Sequence, residues 1–311
     1  MRILFMGTPD FALFSLKGLC ENGYEVIGVV TQPDKPKGRG YALTPPPVKV
    51  YAEAQGIPVY QPNSLRTEEF ASLLSTLDPE LIAVVAYGKI LPKNVLDYPK
   101  YGCINVHGSL LPEYRGAAPM QRAIIDGKKI TGITTMFMAE GLDTGDMLLK
   151  AECEIAESDN FEIIHDRLGA LGADLLRKTV DGLFEGNITP IPQDHSKATH
   201  TSKITKEDCM IDFTQSCDKV HDLIRGLSPV PLAFTHTPDG KLLKILESEV
   251  CERASTNETA GKVISTESGK ITVSCANGSI NILRVLPEGK GRMSAADFIR
   301  GRKISDGDIL K

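Results

Sequence analysis

Along the first two-thirds of the chain, short apolar runs alternate with stretches whose apolar residues recur at helical spacing. Residues 2–7 read as a short, mostly apolar strand that breaks at Gly7-Thr8-Pro9, where Asp10 is placed to cap a helix over 11–21. Residues 25–32 form a second apolar run. Strand, helix and strand in that order imply a parallel sheet with helices on its faces. The rhythm continues with a helix over 48–55, a short strand at Val59-Tyr60 and an amphipathic helix over 67–77. Residues 81–87 are apolar without interruption, as in a strand buried on both faces. Strands are then expected at 103–107, 130–138 and 148–155, with a helix over 117–127. Residues 160–185 carry Ile163, Ile164, Leu168, Leu171, Leu175, Leu176 and Leu183 on one helical side, with His165 as a packing or surface residue.

After Gly186 the pattern changes. Residues 186–202 contain prolines and polar residues with little periodicity and read as a linker. A helix over 219–226 is followed by strand patterns at 233–237, 241–250, 262–265, 270–275 and 279–286. Pro238-Asp239-Gly240, Ser268-Gly269 and Asn277-Gly278 separate them as turns. Short strands at regular spacing suggest a small β-barrel of the OB type. The expected division is a first domain over 1–189, a linker over 190–206 and a second domain over 207–311.

Composition narrows the class. The chain has 311 residues, 41% of them hydrophobic, and 35 Lys plus Arg against 40 Asp plus Glu, for a formal charge of −5. No bulk basic excess announces nucleic acid, so such a partner would have to meet a local basic patch. The seven cysteines form no CxxC pair and read as buried or free thiols of a reducing compartment, with no metal expected. The first residues are too short an apolar run for a signal sequence, and no stretch has the length of a membrane span. A cytoplasmic monomer without a membrane partner is the expectation.

Candidate chemistry gathers at the strand 103–107 and the turn after it, GCINVHGSLLP. Asn105 and His107 are two residues apart, so an extended strand puts them on one face. Strand ends at the carboxyl edge of an open α/β sheet are where ligands bind. A hydrogen-bonded strand terminus explains the pair equally well. An imidazole can donate to an oxyanion or act as a base. An asparagine amide donates without titrating. Asp143, in the glycine-framed turn GLDTGD, could orient the histidine, although Asp146 competes for that role and a turn built for backbone reasons fits too. No serine or cysteine beside a base is visible, so direct attack by an acceptor amine on an acyl donor is the simpler chemistry. The opening GTPDFA lacks the G-x-G-x-x-G fingerprint, which counts against a dinucleotide site. Residues 33–47, PDKPKGRGYALTPPP, are rich in proline and glycine and are not expected to form a regular element. Lys35, Lys37 and Arg39 face only Asp34 there, so the run reads as a solvated loop or as a basic finger for phosphates.

INVHGSLLPEYRGAAP followed by GLDTGDML resembles the signature of the folate-dependent formyltransferase family. GTPDFA, TQPDKPKGRG, VVAYGKILP and the terminal VLPEGKGRMSAADFIRGR extend the resemblance over nearly the whole chain, toward the members that act on charged initiator tRNA. The resemblance implies an α/β fold, Rossmann-like and mostly parallel with helices on both faces, followed by a smaller OB-like β-barrel. It implies transfer of the formyl group of 10-formyltetrahydrofolate to the α-amine of methionyl initiator tRNA. It places Asn105, His107 and Asp143 at catalytic positions and Ser109, Leu110, Leu111 and Pro112 in a folate-contacting turn. Gly88, Ile90 and Leu91 would line the pterin pocket, and Lys35, Lys37 and Arg39 would reach the tRNA acceptor stem. Ser228-Pro229-Val230-Pro231 departs from the pattern, since an aromatic residue often stands between those prolines.

Three rival functions remain on this reading. A formyltransferase for a small amine would share the catalytic set but has no use for the basic loop and second domain. A nucleotide-dependent oxidoreductase lacks its glycine fingerprint. A noncatalytic RNA-binding module leaves Asn105, His107 and Asp143 without a role.

Overall fold

A computed structural model describes residues 1–37, 42–255 and 257–311. The chain divides into two compact units. The first comprises residues 1–116, 131–153 and 165–200, and the second residues 117–130, 154–164 and 201–311.

The chain opens with β1 (Arg2–Gly7), α1 (Asp10–Glu21), β2 (Glu25–Val30), β3 (Lys35–Lys37), β4 (Ala42–Thr44) and α2 (Pro47–Ala54). It continues with β5 (Val59–Tyr60), α3 (Glu68–Leu77), β6 (Leu81–Val85), α4 (Lys93–Leu96), β7 (Cys103–His107) and β8 (Arg115–Gly116). After α5 (Pro119–Ile125) come β9 (Ile130–Phe137), β10 (Met147–Glu154) and α6 (Phe161–Glu185). Helix starts follow local chemistry. Thr67 caps α3 by accepting from the Phe70 amide, and Pro47 opens α2, where a missing N–H costs nothing. Asp10 differs from expectation: Pro9 is the capping residue, and Asp10 sits in the first turn, where its carboxylate accepts from the Phe11 amide.

The central sheet of the first unit runs β10-β9-β7-β6-β1-β2-β5. The pairs β1–β2, β1–β6, β2–β5 and β6–β7 are parallel, and β7–β9 is antiparallel. The order reverses direction between β1 and β6, which is a topological switch point. Every residue of β6 is buried, as its unbroken apolar run predicts. Alternation along β1 splits its side chains between the two faces. Leu4 and Met6 join Val30, Phe70, Leu74, Ile82 and Val95 in one core, while Ile3 and Phe5 are buried on the other side. On that other side Gly172 of α6 lies so close to Val106 and Ile133 that an added Cβ would sit 3.1 Å from Val106. Burying each such side chain contributes roughly 1.5–3 kcal/mol.

Residues 33–47 were expected to be irregular, and the structure corrects this. Lys35–Lys37 and Ala42–Thr44 pair as antiparallel arms, Lys35 opposite Thr44. Asp34 at the base is held by Lys49 Nζ at 2.9 Å and by Gln61 Nε2 at 2.7 Å. The run 186–202, read as a linker, also carries structure. Ile191 exchanges a pair of backbone hydrogen bonds with Met147, and His200–Thr201 (β11) is a short strand.

The second unit contains α5, α7 (Cys217–Gly226), strands β12 (Ala233–His236), β13 (Leu242–Glu252), β14 (Val263–Ser265), β15 (Ile271–Cys275), β16 (Gly278–Pro287) and β17 (Met293–Ser294), and α8 (Ala295–Arg300). The antiparallel sheet runs β12-β13-β16-β15-β14, with β17 also on β16. Its two edges meet one segment near the chain end. Lys311 exchanges backbone hydrogen bonds with His236 of β12, while Gly307, Asp308 and Leu310 bond to Gly261 and Val263 beside β14. Residues 307–311 thereby bridge the two edge strands of the sheet. Phe213, Val220, Ile224, Leu243, Ile245, Val273, Ile282 and Phe298 fill the core. Among the described residues no helix is long and apolar enough to cross a membrane.

Candidate active site

β7 brings Asn105 and His107 to the carboxyl edge of the sheet. Asn105 is in register with Val84 on one neighbour and Met136 on the other, and His107 lies opposite Thr134. Their shared face follows from strand alternation. His107 is 6% exposed. Its Nε2 lies 2.9 Å from the Tyr114 carbonyl oxygen, which only accepts, so Nε2 carries the proton and donates it. The neutral ring then has its lone pair on Nδ1. That atom faces Asp143 Oδ2 at 3.7 Å, beyond a hydrogen bond yet close enough for the carboxylate to stabilise a proton arriving there.

Asp143 is held just as closely. Its Oδ2 accepts from the Gly116 amide at 2.7 Å, and its backbone is left-handed at φ 51°. Tyr114, whose carbonyl holds the histidine, is also left-handed at φ 58°. Non-glycine residues adopt this conformation at a cost of about 1 kcal/mol or more, so both turns depend on outside contacts to keep their shape. Gly145 explains the spacing of the acidic turn. A Cβ there would lie 1.8 Å from the Phe137 carbonyl oxygen, which no other residue tolerates. Asp146, the rival carboxylate, is exposed, and its backbone carbonyl accepts from the Phe137 amide between β9 and β10.

The Asn105 amide is half-buried and has no hydrogen-bond partner among the described residues. An amide beside a fixed imidazole, with its donors unspent, is available to a bound molecule. The structure therefore brings Asn105, His107 and Asp143 together.

The other expected site residues have mixed placements. Ser109 is buried, and its Oγ donates to the Glu113 carbonyl at 2.6 Å, shaping the turn. Leu110 packs against Gly132, while Leu111 forms a small apolar cluster with Met136 and Met147. The Leu111 carbonyl also accepts from Lys150 Nζ, whose pKa burial lowers. The Pro112 carbonyl accepts from the Thr199 amide. Past the end of β6, Gly88 is exposed with φ 85° and Ile90 is 77% exposed, whereas Leu91 lies in the core below the turn. Tyr87 pins this turn at the switch point, its carbonyl accepting from Thr8 Oγ1 and Gln32 Nε2. Among the described residues no hydrogen bond or ion pair joins Gly88, Ile90 or Leu91 to Asn105, His107 or Asp143. Lys35 is exposed on the β3 arm. Lys37 lies on the same arm, and Arg39 is outside the described residues.

Several residues in the site were not singled out by the sequence. Tyr114 and Gly116 contribute main-chain atoms, which no side-chain pattern announces, although both lie within the quoted motif. Gln193, 5% exposed, lies in the run read as a linker, where aperiodicity hid it. Among the described residues no cluster of His, Cys, Asp or Glu is arranged to hold a metal ion.

Residues 1–180 match the family model described as formyl transferase, and residues 203–303 match the formyl transferase C-terminal domain. The chain belongs to the formyl transferase family. A methionyl-tRNA formyltransferase of Bacillus velezensis is 50% identical over 310 residues, spanning 99% of this chain and 97% of that protein. One from Acetivibrio thermocellus is 46% identical over 310 residues, spanning 100% and 99%. Among solved formyl transferase folds, an N-formyltransferase from Helicobacter canadensis, in complex with folinic acid and dTDP-3-aminofucose, superposes with a TM-score of 0.65. It is 19% identical, covering 91% of this chain and 98% of that one. HypX from Aquifex aeolicus, in complex with tetrahydrofolic acid, gives 0.65 at 17% identity, covering 96% of this chain and 47% of that one. At these identities the structural neighbours share the fold.

Proposed function

We propose that this formyl transferase moves the formyl group of 10-formyltetrahydrofolate to the α-amine of methionyl initiator tRNA, in support of translation initiation. The observation that carries the reading is identity of 50% and 46% to methionyl-tRNA formyltransferases over nearly the full length of both chains. Asn105, His107 and Asp143 have separable roles in it. The neutral acceptor amine attacks the formyl carbon, and the new C–N bond puts negative charge on the formyl oxygen. The unspent Asn105 amide donates to that oxygen. His107 cannot donate there from Nε2, because that proton is engaged by Tyr114. Its Nδ1 instead takes the proton from the ammonium that the attack creates, with Asp143 stabilising the imidazolium. The C–N bond to the folate breaks as this proton passes to the departing folate nitrogen. An ester-linked α-amine is less basic than a free α-amine of pKa about 8, so much of it is neutral at physiological pH.

Ser109, Leu110, Leu111 and Pro112 form the wall against the folate in this account, with Gly88, Ile90 and Leu91 beyond the neighbouring strand. Lys35, Lys37 and Arg39 meet tRNA phosphates. Lys49 occupies Asp34, so the acid of this loop does not cancel its cations. The enzyme works as a cytoplasmic monomer on this reading. The deciding assay incubates the protein with 10-formyltetrahydrofolate and either methionyl initiator tRNA or small amines, including an amino sugar nucleotide. Formylation of the charged tRNA alone is expected. Formylation of a small amine at a comparable rate contradicts the proposal.

A further inference from the structure

The segment 193–199 grips both turns of the site. Gln193 uses its whole amide. Nε2 donates to the Asp143 carbonyl at 2.8 Å and to the Gly145 carbonyl at 2.7 Å, while Oε1 accepts from Arg115 Nε at 3.0 Å and Nη2 at 2.6 Å. Gln193 and Arg115 are 5% and 3% exposed, so water does not replace these contacts. Ile191, two residues before, is tied to Met147 by a reciprocal pair of backbone hydrogen bonds, which sets where the glutamine begins. Six residues on, Thr199 Oγ1 accepts from the Tyr114 amide at 2.8 Å, and its carbonyl accepts from the Arg115 amide at 2.9 Å.

One hand of this segment thus holds the turn that carries Asp143. The other holds the turn whose Tyr114 carbonyl fixes His107 and whose Gly116 amide fixes the Asp143 carboxylate. Both turns contain a left-handed non-glycine residue, a conformation that persists only when neighbours enforce it. Of the side chains of this length, only an amide supplies two donors for two carbonyls and one acceptor for a guanidinium.

We propose that Gln193 is a positioning residue for formyl transfer, acting through Asp143 by fixing the carboxylate relative to His107 Nδ1. This rests on the reading of His107 and Asp143 as the proton-handling pair. Glutamate at this position keeps the length and the contact with Arg115 but has no donor for the two carbonyls, so the acidic turn is released while the fold is retained.

The test is a double-mutant cycle in the full chain, with turnover measured at saturating 10-formyltetrahydrofolate and methionyl initiator tRNA. Gln193→Glu is expected to lower kcat about tenfold to a hundredfold, as misplacement of a catalytic group does, with KM for either substrate within about twofold. In an Asp143→Asn background, the same change is expected to cost less than about twofold, because the group it positions is already disabled. If the two losses multiply instead, or if KM rises while kcat holds, Gln193 does not act through Asp143 and the proposal is wrong. Near-normal turnover of Asp143→Asn alone would instead sink the underlying reading of the pair. Should Gln193→Glu fail to accumulate as folded protein, Gln193→Asn keeps an amide acceptor for Arg115 but is one methylene too short to span from it to both carbonyls, and carries the same cycle.

Discussion

Two buried arginines, one in each unit, are used in opposite ways. Arg115 is 3% exposed and directs its guanidinium at the neutral amide of Gln193, with His195 Nδ1 at 3.2 Å. Arg225 is 4% exposed and pairs with the carboxylate of Asp222 at 2.7 Å, while Nη1 donates to the carbonyls of Ala156 and Asp159. Its Nη2 has no partner among the described residues. The first arginine is spent on geometry, since the amide it holds is the one that grips the acidic turn. The second neutralises a half-buried carboxylate and ties α7 to the 156–159 loop. The lesson is that burial of a charge does not by itself mark a site. What the charge holds in place decides whether its loss is felt in turnover or in stability.

On the catalytic side, His107→Ala is expected to lower turnover about a hundredfold to ten-thousandfold, the range for a positioned acid–base group, with the chain still folded by circular dichroism. A loss below tenfold would remove the imidazole from proton transfer. On the structural side, Arg225→Met strands the Asp222 carboxylate, which is 13% exposed, and is expected to cost about 3–5 kcal/mol in urea unfolding. Turnover per folded molecule should stay within about twofold. If Arg225→Met instead abolished turnover at full stability, the contrast between the two arginines would be lost.

A smaller effect sharpens the picture of the second unit. Burial is the main cause holding the His221 imidazole below its ordinary pKa, with Ser248 Oγ at 3.0 Å from Nδ1 and the Glu157 carbonyl at 3.3 Å from Nε2. The folded chain keeps this ring neutral while the unfolded chain takes up a proton near pH 6.5. The contribution is therefore intact above that pH and declines as pH falls from about 6.5 toward the lower folded value. His221→Asn should flatten that part of the pH dependence of the melting temperature, and an unchanged slope would contradict the assignment. The smallest effect concerns the free thiols. Cys103 is buried and pushed up to about 12, while Cys251 is exposed. Alkylation of the native protein at pH 8 should label Cys251 first and leave Cys103 untouched until unfolding.

Much of this was legible in the chain itself. The alternation of apolar runs and helical spacing placed β1, β6 and β7, because a buried parallel strand has to be apolar on both faces. Two-residue spacing put Asn105 and His107 together because alternate residues of a strand share a face. The meeting of His107 with Asp143 was not derivable from spacing, since it depends on how the turn after β9 folds back. Gly145 enforces that fold, but only through a clash with a carbonyl that the sequence does not show. The contribution of Gln193 was hidden because a hydrogen-bonding strap needs no hydrophobic period. The arms at 35–37 and 42–44 were missed because proline and glycine mask strand propensity, while backbone pairing needs only two short edges.

The most direct test of the account is the turnover of Asn105→Ala at saturating 10-formyltetrahydrofolate with methionyl initiator tRNA as acceptor. Removing the Asn105 amide, unspent among the described residues, is expected to lower kcat about a hundredfold or more, as loss of an oxyanion donor does. Turnover within twofold of the parent protein would show that the formyl oxygen is stabilised elsewhere.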